Sequence, residues 1–425
     1  MKIRFPSLTF IFALSAAVPA SAQIGVPMGT PMGMPGVQDL PRPALDPVLD
    51  PLIESVLHRT DRLTGRLARE VEGLAQDRLR RIDRLVQRNR DIIERDARGE
   101  AARRGELLVM DANAADIVRA EQAGYRVIGQ EDFEGLGIDV VRFALPRGTE
   151  LDNGQEALGR IMPDATISAD NLYFQSGQAG SPAQQVATSP FNRGNFAPVG
   201  MIDGAPASAV PVTAMRSFAD GGGTPSDHGS AIASLLRSAG ANRIHAADVY
   251  GTDRAGGNAL AIARALGWLA QNGARVVTIS LVGPDNPVLA RAIASTRLRG
   301  VVVVAAVGND GPAAPPAYPA SYTGVVAVTA VDRHERALLE AGRALHLDYS
   351  APGANIYGLD RRGRSQRLRG TSYATPLVAA RIAAALGRGE QWRSVLDEEA
   401  HDLGPRGADE IYGRGLVCRA CAIRR

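Results

Sequence analysis

Lysine is nearly missing from this chain. Lys2 is its only example in 425 residues, and the other basic residues are arginine with six histidines. Genome composition accounts for that bias without a functional cause. Cysteine is also scarce: Cys418 and Cys421 are the only two, separated by two residues near the end. With no second pair, a four-cysteine zinc site within one chain is excluded. A redox pair would open a helix after a strand, in surroundings that lower a thiol pKa. The Arg-rich tail offers no such setting, so a local disulfide or inert thiols are expected. Excess charge is missing as well, the net value being +3. That is too little to argue for nucleic acid as a partner. No segment beyond the first residues is apolar enough to cross a bilayer.

What is present starts with an export signal. Lys2 and Arg4 precede the apolar run Leu8 to Val18, and Ala20-Ser21-Ala22 makes a small-residue cleavage site. The run is too short for a membrane anchor, so residues 1–22 read as a signal peptide removed near Gln23. The destination is periplasmic or extracellular. Residues 23–51 are rich in Pro, Gly and Met and read as a linker. Residues 52–104 change character. Leu63, Leu67, Val71 and Leu74, then Ile82, Leu85, Val86, Ile92 and Ile93, form an apolar stripe among Arg and acidic residues. That rhythm predicts one or two long amphipathic helices, packed on the rest of the chain, used for self-association, or laid on a membrane surface through the Arg-rich face.

Residues 105–176 have another rhythm. Short strands and helices follow in the order β-α-β-β-α-β, which is that of a ferredoxin-like split unit. Residues 177–194 read as a linker. From residue 195 to 417, short Val- and Ile-rich runs alternate with helical stretches. Such runs suit strands buried on both faces, so the expectation is a doubly wound, mainly parallel α/β domain. Residues 418–425 complete the chain as a Cys/Arg-rich tail. In a doubly wound sheet the site lies at the carboxyl ends of the strands.

Four residues in that region suit acyl transfer by serine. Asp203 ends the first strand, in Val199-Gly-Met-Ile-Asp203-Gly204. His228 opens a helix in Asp227-His228-Gly229-Ser230-Ala231. Ser372 opens another in Gly370-Thr371-Ser372-Tyr373-Ala374-Thr375-Pro376, with Pro376 expected in its first turn. Asn309 follows the strand Val301 to Ala306. A hydroxyl, a base, a carboxylate to orient the base and donors for an oxyanion are the four requirements of this chemistry. Taken singly, each residue also fits a helix cap, a surface histidine or a turn asparagine.

Together the motifs resemble those of the subtilisin-like serine proteases, the subtilase family. Asp203-Gly204 resembles the Asp-Thr/Ser-Gly motif without its middle residue. His228-Gly229-Ser230-Ala231-Ile232-Ala233 is similar to His-Gly-Thr-x-Val-Ala. Gly370 to Pro376 is similar to Gly-Thr-Ser-x-Ala-x-Pro, the most specific of the three. The order Asp, His, Ser is also that of subtilisin.

The resemblance implies a triad of Asp203, His228 and Ser372, an oxyanion donor at Asn309, and a substrate wall of Ser280, Leu281, Val282, Gly283 and Gly308. It implies that residues 105–176 are a pro-domain acting as a temporary inhibitor, and that substrates are proteins or peptides. Two departures stand out. The Asp203 to His228 interval is short, and Val282 replaces a glycine in a wall of the S1 pocket, which should narrow it. No cofactor is required by this chemistry. No acidic loop shows a calcium-ligand pattern, although carbonyl sites are invisible to sequence. The competing reading is a catalytically silent relative serving as a scaffold. A lipase or esterase would want Gly-x-Ser-x-Gly and the order Ser, acid, His, and the chain has neither.

Overall fold

Two sheets carry the molecule, and the chain builds them one after the other. The computed structural model describes residues 50–133, 135–175, 177–182 and 194–421. The expected signal peptide, most of the linker 23–51 and most of the linker 177–194 lie outside the described residues.

The amphipathic stretch forms one helix, α1 (Asp50–Arg88). Its Ile82, Leu85 and Val86 pack around Ile93, Ala101, Leu172, Ala255 and Phe174. The helix stops earlier than the apolar stripe suggested. The Asn89 side chain donates to the Leu85 carbonyl at 2.9 Å and closes the last turn. Ile93 then enters a strand, β1 (Ile93–Arg95), antiparallel to the start of β2 (Ala101–Met110). Pairing to β2 suits a β-branched residue better than a helix would. The boundary expected at residue 104 therefore falls near residue 89.

The split unit follows as read: β2, α2 (Ala114–Gln122), β3 (Arg126–Asp132), β4 (Asp139–Ala144), α3 (Leu151–Ile161) and β5 (Thr166–Asn171). β2 lies between β4 and β5, and β3 is outside β4. All these pairs are antiparallel. One face buries Leu107, Val109 and Phe143 beneath α2 and α3. The other presents Leu108, Met110 and Val140 to the second sheet's helices.

Two short strands, β6 (Phe174–Gln175) and β7 (Gln178–Pro182), then lead away from β5. The large sheet has seven parallel strands. In chain order they are β8 (Val199–Asp203), β9 (Ala214–Ser217), β10 (Ile244–Asp248), β11 (Val276–Ile279), β13 (Val302–Ala306), β14 (Val326–Val331) and β15 (Tyr349–Pro352). Their spatial order is β15-β14-β13-β11-β8-β10-β9. A short β12 (Leu281–Val282) follows β11, and a hairpin of β16 (Ala354–Leu359) and β17 (Ser365–Arg369) follows β15.

Helices α5 (Ala259–Gln271) and α6 (Pro287–Leu298) share one apolar cluster with the sheet. Helices α4 (Asp227–Ser238), α7 (Thr371–Gly387) and α8 (Trp392–Glu399) belong to the other. The sheet is thus covered on both faces, as its Val-rich strands require. The described part of the tail, residues 418–421, is not separate. Cys418 and Cys421 are joined in a disulfide and buried in the α7 cluster.

Candidate active site

Every chemical group the sequence singled out lies at the carboxyl edge of the parallel sheet, or at the start of a helix above it. Asp203 is the last residue of β8 and is fully buried. His228 is the second residue of α4, whose start is fixed by Ser226 accepting from the Gly229 N–H at 2.9 Å. A Cβ on Gly229 would run into the Gly204 carbonyl, so only glycine lets α4 approach β8 this closely. That approach sets His228 on Asp203. Its Nδ1 lies 2.8 Å and 3.0 Å from the two carboxylate oxygens. A carboxylate accepts only, so Nδ1 donates, and a neutral ring in this orientation carries its lone pair on Nε2. Nε2 is buried and has no hydrogen-bond partner among the described residues.

Ser372 is the second residue of α7, and Gly370 caps that helix at a φ of 142°. The Ser372 Oγ donates to the Ser280 carbonyl at 3.0 Å, and Ser280 Oγ donates to the Ser372 carbonyl at 2.9 Å. The next residue, Tyr373, holds its ring 5.4 Å from the imidazole of His228. The helix starts at Thr371, one residue before the serine expected to open it. Pro376 therefore lies in the second turn, where a backbone donor is normally needed.

Asn309 lies just beyond β13, and its Oδ1 accepts the Thr371 N–H at 3.0 Å. Its Nδ2 is buried without a hydrogen-bond partner among the described residues. A buried unpaired donor is costly unless something else accepts from it. It lies beside Gly370, where an added Cβ would also meet the Gly177 Cα. Thr371 Oγ1 donates to the Gly308 carbonyl at 3.1 Å, tying the start of α7 to the Asn309 loop.

The wall residues take two roles. Ser280 underlies Ser372, while Leu281 and Val282 present an edge. That edge is occupied: Gln175 pairs with Leu281 and Phe174 with Val282, antiparallel. On the opposite side Tyr173 N–H donates to the Gly257 carbonyl at 2.8 Å, and Leu172 bridges to Asn258. The buried Tyr250 hydroxyl donates to the Tyr173 carbonyl at 2.7 Å. Burial first, then the nearby Asp203, pushes that hydroxyl's pKa well above the ordinary tyrosine value, so it remains a donor.

Val282 faces Gly308: a Cβ there would stand 3.3 Å from its Cγ1. The pair borders a cavity of about 230 Å³ that continues past Pro284 to Tyr318. Beyond Phe174 and Gln175 the chain passes Gly177, whose added Cβ would strike the Tyr373 ring, and then pairs as β7 with β17. Residues 173–175 and 177–182 thus lie across the site, from β12 to β17. Gln175 also donates to Asp203 Oδ1 at 3.0 Å.

The contacts of residues 250–258 with Leu172 and Tyr173 were not picked out from the sequence. Their signal was available, because these residues follow the carboxyl end of β10. Contacts of α1 at the site were also not foreseen. Arg78 and Arg81 pair with Asp310, the neighbour of Asn309. Among the described residues, no cluster of three or more His, Cys, Asp or Glu is placed to hold a metal ion.

Comparison with known proteins agrees with this geometry. A family model described as the subtilase family matches residues 218–415. Subtilisin BL and Subtilisin Savinase, both from Lederbergia lenta, are each 34% identical over 220 residues, covering 49% of this chain and 80% of theirs. Among solved structures, fervidolysin from Fervidobacterium pennivorans superposes with a TM-score of 0.63 at 16% identity. That match spans 78% of this chain and 63% of fervidolysin, and it speaks for the fold alone. With that identity sustained over four-fifths of a subtilisin, the chain belongs to the subtilase family and is a subtilisin-like serine endopeptidase.

Proposed function

We propose that Asp203, His228 and Ser372 form the catalytic triad, with Asn309 as an oxyanion donor. The Asp203–His228 pair carries this reading, because it fixes the tautomer in which Nε2 is a base. Ser372 Oγ attacks the peptide carbonyl carbon and gives its proton to Nε2. The carbonyl π pair moves onto oxygen, which accepts from the Ser372 N–H and Asn309 Nδ2. The imidazolium then protonates the leaving amine, the C–N bond breaks, and an acyl-enzyme remains. Water repeats the sequence in reverse roles and releases the acid. The chemistry calls for no cofactor.

The first substrate on this reading is the chain itself. Phe174 and Gln175 pair with β12 as a peptide substrate adding a strand would. Residues 105–176 then act as a temporary inhibitor, cut loose within residues 174–195, close to Gly177. The signal-like first residues support a reading in which this event happens outside the cytoplasm.

The test expresses wild type and Ser372→Ala side by side, with a fluorophosphonate probe and N-terminal sequencing. Wild type is expected to take the label and to lose its N-terminal part. Ser372→Ala is expected to do neither, with activity down by more than about 10⁴-fold. Peptidase activity surviving in purified Ser372→Ala would sink the triad. A full-length wild type that is fully active would remove self-cleavage as the activating step.

A further inference from the structure

Pro376 stands where the helix needs a donor. In an α-helix the carbonyl of each residue accepts from the N–H four positions on. For Ser372 that position is Pro376, which has no N–H, and α7 runs through it without ending. The Ser280 hydroxyl takes the missing place, 2.9 Å from the Ser372 carbonyl oxygen. Ser280 is 1% exposed, so its hydroxyl is not shared with bulk solvent. Its own carbonyl holds the Ser372 Oγ at 3.0 Å.

We propose that Ser280 is a positioning residue for the nucleophile, its hydroxyl replacing the helix hydrogen bond that Pro376 deletes. The inference rests on Ser372 being the nucleophile, and it gives Ser280 a role apart from touching substrate. Ser280 stands between β11 and β12, and β11 is the direct neighbour of β8, which ends in Asp203. The hydroxyl therefore fixes the backbone of Ser372 to the same sheet that holds the carboxylate. Without the Ser280 hydroxyl the Ser372 carbonyl loses this tie to the sheet, and the first turn of α7 can shift. Both Oγ and the oxyanion N–H belong to residue 372, so a shift misplaces both at once. A misplacement of about 1 Å near a reacting centre can cost about 10²-fold.

Pro376 makes the idea separable from ordinary packing. Replacing it with alanine restores an N–H aimed at the Ser372 carbonyl. Turnover and KM are measured on the full chain after activity has become constant, per mole of protein labelled at saturation by a fluorophosphonate. Ser280→Ala is expected to lower turnover by about tenfold to a hundredfold with KM little changed. Ser280→Thr keeps a hydroxyl and should stay within about threefold of wild type. The double variant Ser280→Ala/Pro376→Ala should recover most of the loss, a coupling that independent sites do not show.

Wild-type turnover in Ser280→Ala overturns the proposal. So does a raised KM with unchanged turnover, because Ser280 would then act by touching substrate. So does a double variant as slow as Ser280→Ala, because the loss would then be packing. Ser280→Cys, close in shape with a weak donor, replaces the alanine variant should that fail to fold. These three results leave the triad standing, whereas activity in Ser372→Ala, run in parallel, overturns the nucleophile itself.

Discussion

Helix α7 and the N-terminal split unit both pack against the large sheet or its helices, but they are held differently. α7 is buried on nearly every side, and Leu377, Val378, Ala379, Ile382 and Ala383 merge into one apolar cluster with the strands. The split unit instead meets α5 and α6 through an apolar centre of Leu108, Met110, Phe133 and Val140. Polar contacts surround that centre. Arg291 pairs with Asp111 at 2.7 Å, Arg264 with Glu131 at 3.5 Å, and Arg103 with Asp253. Asn286 caps α6 and also donates to Asn171 at 3.0 Å. An apolar middle with a polar rim is how separate proteins meet. The comparison teaches that the N-terminal region is docked as a partner would be, while α7 is part of the catalytic core.

Four experiments sharpen or break that contrast, the first two in opposite directions. Leu377→Ala should destabilise the Ser372→Ala chain by about 2–5 kcal/mol, as expected for a cavity in a fully packed core. Denaturant melting would show it. A loss below about 1 kcal/mol would mean that α7 is not held as described. Asn309→Ala should lower turnover by about 10²–10³-fold, an effect whose type example comes from subtilisin. Among the described residues its Nδ2 has no hydrogen-bond partner even with the N-terminal region in place, while its Oδ1 accepts the Thr371 N–H. The melting of the Ser372→Ala chain should therefore fall on adding Asn309→Ala by no more than that one bond is worth, about 1–3 kcal/mol.

The third prediction concerns pH at the docked face. Asp170 is fully buried, and its Oδ1 accepts the Leu260 N–H at 3.0 Å. Burial raises its pKa to about 7, and the Leu260 N–H, Arg103 and Arg142 offset only part of that, while Glu106 adds to it. Undocked and in water, the carboxyl would titrate near its ordinary 3.8. The docked state thus holds an extra proton between those two values. Docking is favoured at the acid end, weakens as pH rises from about 4 to about 7, and is flat above. Asp170→Asn should remove that slope and hold the N-terminal region more firmly at pH 8. Dissociation of the cut complex, followed by gel filtration at pH 5 and pH 8, would measure it. Equal slopes in both proteins would exclude Asp170 as the titrating group.

The smallest expected effect is at the rim. Arg81→Ala removes one contact to Asp310, made by a half-exposed side chain. Such a pair is worth about 0.2–1 kcal/mol. The N-terminal region should leave a few times faster, and raising salt to about 1 M should narrow the gap by screening. A difference that persists at high salt would assign the effect to packing of α1 instead.

Much of this was legible because single residues carry strong local meaning. Asp203 at a strand end, His228 and Ser372 at helix starts, and Asn309 after a strand all lie where sequence placed them. Buried Val-rich runs named five strands of the large sheet. β9 and β15 escaped notice, because four-residue strands such as Ala214–Ser217 carry too few apolar positions to stand out. The end of α1 was misplaced because Ile92 and Ile93 extend the helical stripe, and only the pairing of β1 with β2 decides against it. The role of Pro376 was invisible for a related reason. Its meaning depends on a hydroxyl 96 positions earlier in the chain, brought beside it by the sheet.

The strands β6 and β7, which lie across the site, have one more consequence, which concerns timing. β6 is stitched to β12 and continuous with the N-terminal region, but β7 is stitched to β17 on the far side. A cut beside Gly177 would give the two new ends different allegiances. The older end would leave with the undocking region. The fresh amino terminus would stay zipped along β17 until its own hydrogen bonds open. The two halves of the cleft would thus be vacated by separate clocks, one set by an interface of a whole domain and the other by a strand of five residues.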